Sequence, residues 1–347
     1  MKGGVIKGIE NIISHPNMDE GEMVFQIKNL IYESEIHHVK PHESRSISEL
    51  IGENLDLIKN GMTDDKVLRT GFKDLDNIIG GFSFGELNVI AGRPGMGKTV
   101  LLVNLVLKMS ETVPVLYFSF ELSESQLSSR FISTLSKIPA NKIAQQNLTM
   151  DEMEFLFSLE ETIANHQIFI NDSCSNSFTA FKENCQKQIE ENGVKVIIVD
   201  YIQLMGSSRN RNSRELEISY ISRELKNIAK NNNVCIIAAS QLSRNSERRE
   251  GNRPQLADLS DSAAIEQNAD KVMMIYRPEY YGLEEDEQGN STKNVMELLI
   301  RKNRNGPVND IKLKRDSEFT TITDFDEYTT GFSFSQNRLD ELDRPPF

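Results

Sequence analysis

The sequence predicts an α/β fold with a mostly parallel central sheet flanked by helices. Three observations predict it. From Leu68 onward, short apolar stretches alternate with longer amphipathic ones; the apolar stretches are near-continuous; and a glycine-rich G-x-x-x-x-G-K-T segment stands between the first of them and a helical stretch. Alternating strands and helices form parallel sheets wrapped on both faces, and strands covered on both faces lose the polar half of the period-two pattern.

Four segments follow: a short N-terminal segment at 1–45, a linker helix at 46–66, an α/β domain at 67–328 and a flexible acidic C-terminal tail at 329–347. In the first, one apolar stretch at 23–32 precedes His37, His38 and His42, which lack partners at metal-ligand spacing. Residues 46–60 carry Ile47, Leu50, Ile51, Leu55 and Ile58 at helical spacing, with Ser48 as the expected cap. So short and isolated a helix does not fold alone, so its apolar stripe is expected to dock. Strands are expected at 87–91, 115–120, 194–199, 234–239 and 272–276, and helices at 100–109, 124–135, 151–164, 179–191 and 215–230. Late strands at 295–301 and 310–314 flank Asn305-Gly306-Pro307, a turn sequence.

The 347 residues suffice for one large domain and a smaller segment. No apolar run approaches the roughly 18 residues of a spanning helix, so a cytoplasmic protein without membrane contact is expected. Cys174, Cys185 and Cys235 are odd in number and show no metal-ligand spacing, which argues against disulfide, zinc and redox chemistry. A net charge of -13 argues against a protein that coats nucleic acid with its whole surface. The stretch 205–255 is the exception: ten Lys or Arg against five Asp or Glu give it +5 and leave -18 on the rest. A solvated basic surface and a nucleic-acid contact both fit that count.

Gly92-Arg93-Pro94-Gly95-Met96-Gly97-Lys98-Thr99 is a P-loop in its required place, after a strand and before a helix. Glycines let the backbone wrap so that N–H groups face phosphate oxygens, and the helix N-terminus adds a favourable dipole. Lys98 is expected to neutralise the phosphates of ATP or another triphosphate, and Thr99 to hold Mg²⁺. Asp200 ends an apolar strand about a hundred residues later, as a Walker B carboxylate on Mg²⁺ does. Glu121 follows the strand after the P-loop helix; in a parallel sheet this end shares the phosphate edge, so Glu121 is the candidate base for the attacking water. Gln241 ends another strand at the same edge, placed to sense the γ-phosphate. The loop after it, 242–259, carries Arg244, Arg248, Arg249 and Arg253.

Over residues 46–325 the chain resembles the C-terminal motor of DnaB-type replicative helicases, a RecA-like P-loop ATPase core. The match runs through Thr70-Gly71-Phe72, Leu75-Asp76, Ala91 to Thr99, Ser119-Phe120-Glu121, Asp200-Tyr201-Ile202-Gln203-Leu204-Met205 and Ser240-Gln241-Leu242-Ser243-Arg244. It continues through Ile265-Glu266-Gln267-Asn268-Ala269-Asp270 and Arg301-Lys302-Asn303-Arg304-Asn305-Gly306-Pro307. The resemblance implies a homohexameric ring that translocates on single-stranded DNA and unwinds duplex, with nucleotide sites between subunits. It assigns Arg304, with Lys302 beside it, to the neighbour's γ-phosphate, and residues 46–60 to a linker helix packed on an adjacent subunit.

Two departures mark the chain. The family's N-terminal helical bundle does not fit into 45 residues, so an absent or reduced collar is expected, as in a phage or mobile-element enzyme. In the pore loop, Ser260 stands at a family arginine's position, beside Asp261; loop N–H groups, Arg209, Arg211, Arg214 or Arg248 then supply the DNA contact. The acidic tail ending in Phe347 resembles tails that bind replication partners, and a disordered terminus without such a role is the other reading of it; primase, loader or polymerase contacts would run through it or through the N-terminal segment. The alternative reading is a RecA-like ATPase that remodels DNA or protein without unwinding.

Overall fold

A computed structural model describes residues 12–13, 44–59, 67–173, 178–206, 211–259, 263–316, 318 and 320–325. The chain divides into two compact units, Met1–Asp64 and Asp65–Phe347, each described by itself.

In the first unit the expected linker helix is α1, Ile47–Lys59. Its cap is Ser46, not Ser48. The Glu49 N–H donates to Ser46 Oγ at 3.2 Å, and the Leu50 N–H to the Ser46 carbonyl at 3.3 Å. A capping oxygen reaches the N–H three residues on, and Ser48 is already inside the first turn. Ile47, Ile51, Leu55 and Ile58 are exposed.

The second unit opens with a small antiparallel ladder, β1 (Val67–Leu68) with β2 (Phe82–Ser83), around α2 (Lys73–Ile79). Asp76 fixes the turn into α2 by accepting from the N–H groups of Thr70 at 2.8 Å and Gly71 at 3.3 Å. Phe72 and Leu75 are fully buried beside it. The Thr-Gly-Phe and Leu-Asp pairs seen in the sequence therefore anchor packing rather than chemistry.

The main sheet is built from β3 (Leu87–Gly92), β4 (Val115–Ser119), β5 (Ile168–Asn171), β6 (Val196–Asp200), β7 (Cys235–Gln241), β8 (Lys271–Tyr276), β9 (Val295–Asn303), β10 (Asp310–Arg315) and β11 (Ile322–Asp324). Their order across it is β11-β10-β9-β8-β3-β7-β6-β4-β5. From β8 to β5 every pair is parallel; β8, β9, β10 and β11 are antiparallel. Helices α3 (Lys98–Ser110) and α4 (Glu124–Ser136) lie along one face, and α8 (Phe178–Asn192) and α9 (Arg211–Asn232) along the other. Successive strand residues serve the two faces: Ile198, Ile237 and Ala239 join the α3 core, whereas Ile197, Val199, Ile236 and Ala238 join the α9 core. This double burial is why the strands read as continuous apolar runs.

The expected strands and helices are all found, with ends shifted by a few residues at most, apart from the stretch at 151–164. Here two short helices stand, α6 (Met150–Ser158) and α7 (Glu160–Ala164), after the short α5 (Ala140–Ala144). Leu159, at φ -84° and ψ -3°, donates its N–H to the Leu156 carbonyl at 3.1 Å, a tight turn that breaks the register. The edge strands β5 and β11 are not expected from the sequence; both are too short for a period-two pattern to show. A short helix α10 (Ala263–Asn268) leads into β8.

Candidate active site

β3 delivers the chain to Gly92, and the turn that follows ends where Lys98 begins α3. Gly95 and Gly97 stand at φ 76° and 97°, values that favour glycine, so the turn needs both. Lys98 Nζ donates to the carbonyls of Gly92 at 3.0 Å and Arg93 at 3.3 Å. Burial lowers its pKa, against the raising pull of Asp200 and Glu121. The ammonium is thus held on loop carbonyls by bonds that a phosphate can replace.

Parallel pairing sets the remaining groups at the same edge. Gly92 pairs with Gln241 and Ser119 with Asp200, while the Phe120 N–H donates to the Asp200 carbonyl at 2.9 Å. Thr99 Oγ1 donates to Asp200 Oδ2 at 2.8 Å, and the Tyr117 hydroxyl to the same oxygen at 2.9 Å. Burial raises the Asp200 pKa, opposed by these two bonds and by Lys98. Its second oxygen, Oδ1, is buried with no hydrogen-bond partner. Gln203 fixes Gln241: its Oε1 accepts from the Gln241 N–H at 3.0 Å, and its Nε2 donates to Ser240 Oγ at 2.9 Å.

Lys98, Thr99, Glu121 and Gln241 line one cavity of about 450 Å³ with Arg130 and Tyr201, within the size range of ligand sites. Sequence reading missed Arg130, which sits mid-helix on α4 without a motif, and Tyr117, which reaches Asp200 only because β4 pairs with β6. Replacing Tyr117 by Phe removes one donor from Asp200 and keeps the packing. Under the P-loop expectation of a magnesium nucleotide in this cavity, the Mg²⁺ requirement for ATP hydrolysis is expected to rise roughly fivefold, about 1 kcal/mol, with the fold intact. A magnesium titration of hydrolysis that superimposes on wild type would assign Tyr117 to packing alone.

Two P-loop side chains turn away from the cavity. Arg93 pairs with Glu247 at 2.7 Å and donates to the Leu242 carbonyl at 2.9 Å, tying the P-loop to the segment after β7. Met96 is buried in the core. These residues, with Gly92, Pro94, Gly95 and Gly97, are left to act through the backbone and the shape of the turn.

Lys302 and Arg304 are not brought to this cavity. Lys302 pairs with Val272 on the antiparallel β9, so both side chains sit at the edge where the parallel strands begin. Arg304 contacts Asp270 there at 3.3 Å. Of the candidate DNA contacts, Arg214 is committed within the chain: its guanidinium donates to Glu217 and to the Gln203 carbonyl. These bonds tie the start of α9 to the segment after β6. Arg209, Ser260 and Asp261, and the side chains of Arg211 and Arg248, lie outside the described residues. In the 242–259 loop, Arg249 pairs with Asp258 and Arg253 with Glu297 and Asp310, whereas Arg244 is exposed. Among the described residues no group of three or more His, Cys, Asp and Glu side chains could hold a metal by itself, and no helix is long and apolar enough to cross a membrane.

The pattern of the family described as DnaB-like helicase C terminal domain matches residues 67–324. Among curated proteins, a probable replicative DNA helicase of Trieres chinensis is 39% identical over 264 residues, covering 74% of this chain and 57% of that protein. Replicative DNA helicase DnaC of Bacillus subtilis (strain 168) is 33% identical over 299 residues, 85% of this chain and 62% of that protein. The chain thus spans less than two thirds of the length of either relative. A solved structure described as an ATPase domain superimposes with a TM-score of 0.74 at 31% identity, over 81% of this chain and 99% of that one. A DnaB-like replicative helicase, described together with its interactions with primase, gives 0.71 at 29% identity over 93% and 76%.

Proposed function

Because the chain belongs to the DnaB-like helicase C-terminal domain family, we propose that it is the ATP-driven motor of a ring-shaped replicative DNA helicase. In this reading it forms a homohexamer, translocates on single-stranded DNA and unwinds duplex with ATP hydrolysed at subunit interfaces. One observation carries the reading: the phosphate-side groups share one cavity, while Lys302 and Arg304 stand at the opposite edge of the sheet. A head-to-tail ring brings the second edge of one copy to the first edge of the next.

The chemistry follows from this chain's own groups. The P-loop N–H groups and α3 receive the phosphates, and Lys98 exchanges its carbonyl partners for phosphate oxygens. Glu121 orients water and accepts its proton; Gln241, held by Gln203, reports the γ-phosphate to the loop beyond it. The residues fit magnesium, since Asp200 Oδ1 is buried without a partner beside the Thr99 hydroxyl and oxygen donors are what this ion takes. Thr99 and Asp200 would hold it, and it would neutralise phosphate charge. Arg304, with Lys302, serves the next subunit's site. DNA contact falls to the segments at 207–214 and 242–262, and primase, loader or polymerase contacts to the N-terminal segment or the acidic tail.

Strand separation of a forked DNA duplex with ATP and Mg²⁺ tests the reading, together with stimulation of hydrolysis by single-stranded DNA. Both are expected. Stimulated hydrolysis without separation would favour a remodelling ATPase instead. Ring formation is assigned to the apolar stripe of α1: Leu50→Asp with Leu55→Asp is expected to abolish the hexamer in sedimentation velocity. A double variant that still sediments as a hexamer removes α1 from assembly.

A further inference from the structure

The edge of the sheet opposite the P-loop is organised around one carboxylate. Asp270, with its side chain 8% exposed, uses Oδ2 to accept from the Leu87 N–H at 2.8 Å and from Lys226 Nζ at 2.6 Å. Those two bonds tie β8 to β3 and α9. The other oxygen, Oδ1, accepts from Arg304 Nη1 at 3.3 Å, and the Asp270 carbonyl accepts from the Arg304 N–H at 3.0 Å. Arg304 Nη2 donates to the Gln267 carbonyl at 2.6 Å, and Lys302 Nζ to the Glu266 carbonyl at 2.5 Å. Both carbonyls belong to the last turn of α10, where helix carbonyls lack partners of their own and cations are favoured.

From this division of labour we infer that Asp270 is the positioning residue for the arginine that serves the neighbouring subunit. The inference rests on the shared-site reading above. One carboxylate oxygen secures the strand, and the other aims the guanidinium. A guanidinium carries five N–H groups. The contacts to Asp270 and Gln267 engage one on each terminal nitrogen, and the side chain stays 46% exposed. Arg304 is therefore held by these two contacts while nearly half of its side chain stays open to solvent, the arrangement needed to meet a phosphate without first being ordered.

Subunit complementation tests this in the full-length chain. Asp270→Asn rings are expected to hydrolyse ATP about ten- to a hundredfold more slowly, the scale of a misplaced catalytic group, with binding of fluorescent ADP unchanged. Lys98→Ala subunits have a disabled P-loop and an intact Arg304. Mixed with Asp270→Asn subunits before assembly, they are expected to restore hydrolysis, because an intact P-loop then meets an intact arginine. Arg304→Ala mixed with Lys98→Ala is the control. In an Arg304→Ala background, Asp270→Asn is expected to add no further loss. If the control recovers but the Asp270→Asn mixture does not, Asp270 acts on its own subunit and the inference is overturned. If neither mixture recovers, the shared-site reading itself fails. Should Asp270→Asn not fold, Asp270→Glu keeps the charge, moves the carboxylate by one methylene and is expected to be complemented in the same way; lack of complementation there overturns the inference equally.

Discussion

Rings built only from Arg304→Ala subunits are expected to hydrolyse ATP about a thousandfold more slowly than wild type, the lower end of what an arginine supplied in trans contributes to phosphoryl transfer. The expectation comes from placement. Among the described residues lining the chain's own cavity, the second full cation beside Lys98 is Arg130, which projects from α4, whereas Arg304 is nearly half exposed at the far edge. Charge developing on the transferred phosphoryl group is most strongly stabilised by preorganised donors that water does not compete for. Arg304→Lys should recover only part of the loss, because an ammonium keeps the charge but not the planar fork. Fluorescent ADP affinity should barely change, since the P-loop belongs to the subunit itself. A loss below tenfold would move the role to Lys302 or to Arg130.

Glu121→Gln is expected to separate binding from chemistry. The amide has the size of the carboxylate and accepts hydrogen bonds but cannot take a proton from water, so hydrolysis should fall by about 10²–10⁴-fold, the usual contribution of a general base. Nucleotide affinity should hold, because Lys98, Thr99 and the P-loop backbone are untouched. Single-turnover hydrolysis and ADP binding on the same preparation distinguish this from a folding defect. Equal losses in both would show that Glu121 builds the pocket rather than abstracting the proton.

The P-loop, Asp200, Glu121 and Gln241 were legible in the sequence because each lies at the C-terminal end of a strand, and parallel pairing fixes where such ends meet. Lys302 and Arg304 were legible only through resemblance; as alternating residues on a strand they look solvated, and their place at the opposite edge follows from the antiparallel turn of β9. Arg130 and Tyr117 carried no signal at all. One depends on how α4 packs over the cavity, the other on the register between β4 and β6. Arg214 adds a contact of the same kind: its guanidinium reaches Glu217 and the Gln203 carbonyl, partners that charge counting does not see. The cap of α1 at Ser46 and the break at Leu159 are matters of backbone geometry within one turn, finer than hydrophobic periodicity resolves.

Shared sites in a ring are the centre of the account, and the most direct measurement is unwinding of a forked duplex while Arg304→Ala subunits are titrated into wild type before assembly. A defective subunit disables its neighbour's site as well as interrupting the ring's cycle, so the rate should fall more steeply than the fraction of wild-type subunits. A fall in simple proportion to that fraction would mean that each chain works alone, and it would contradict the account.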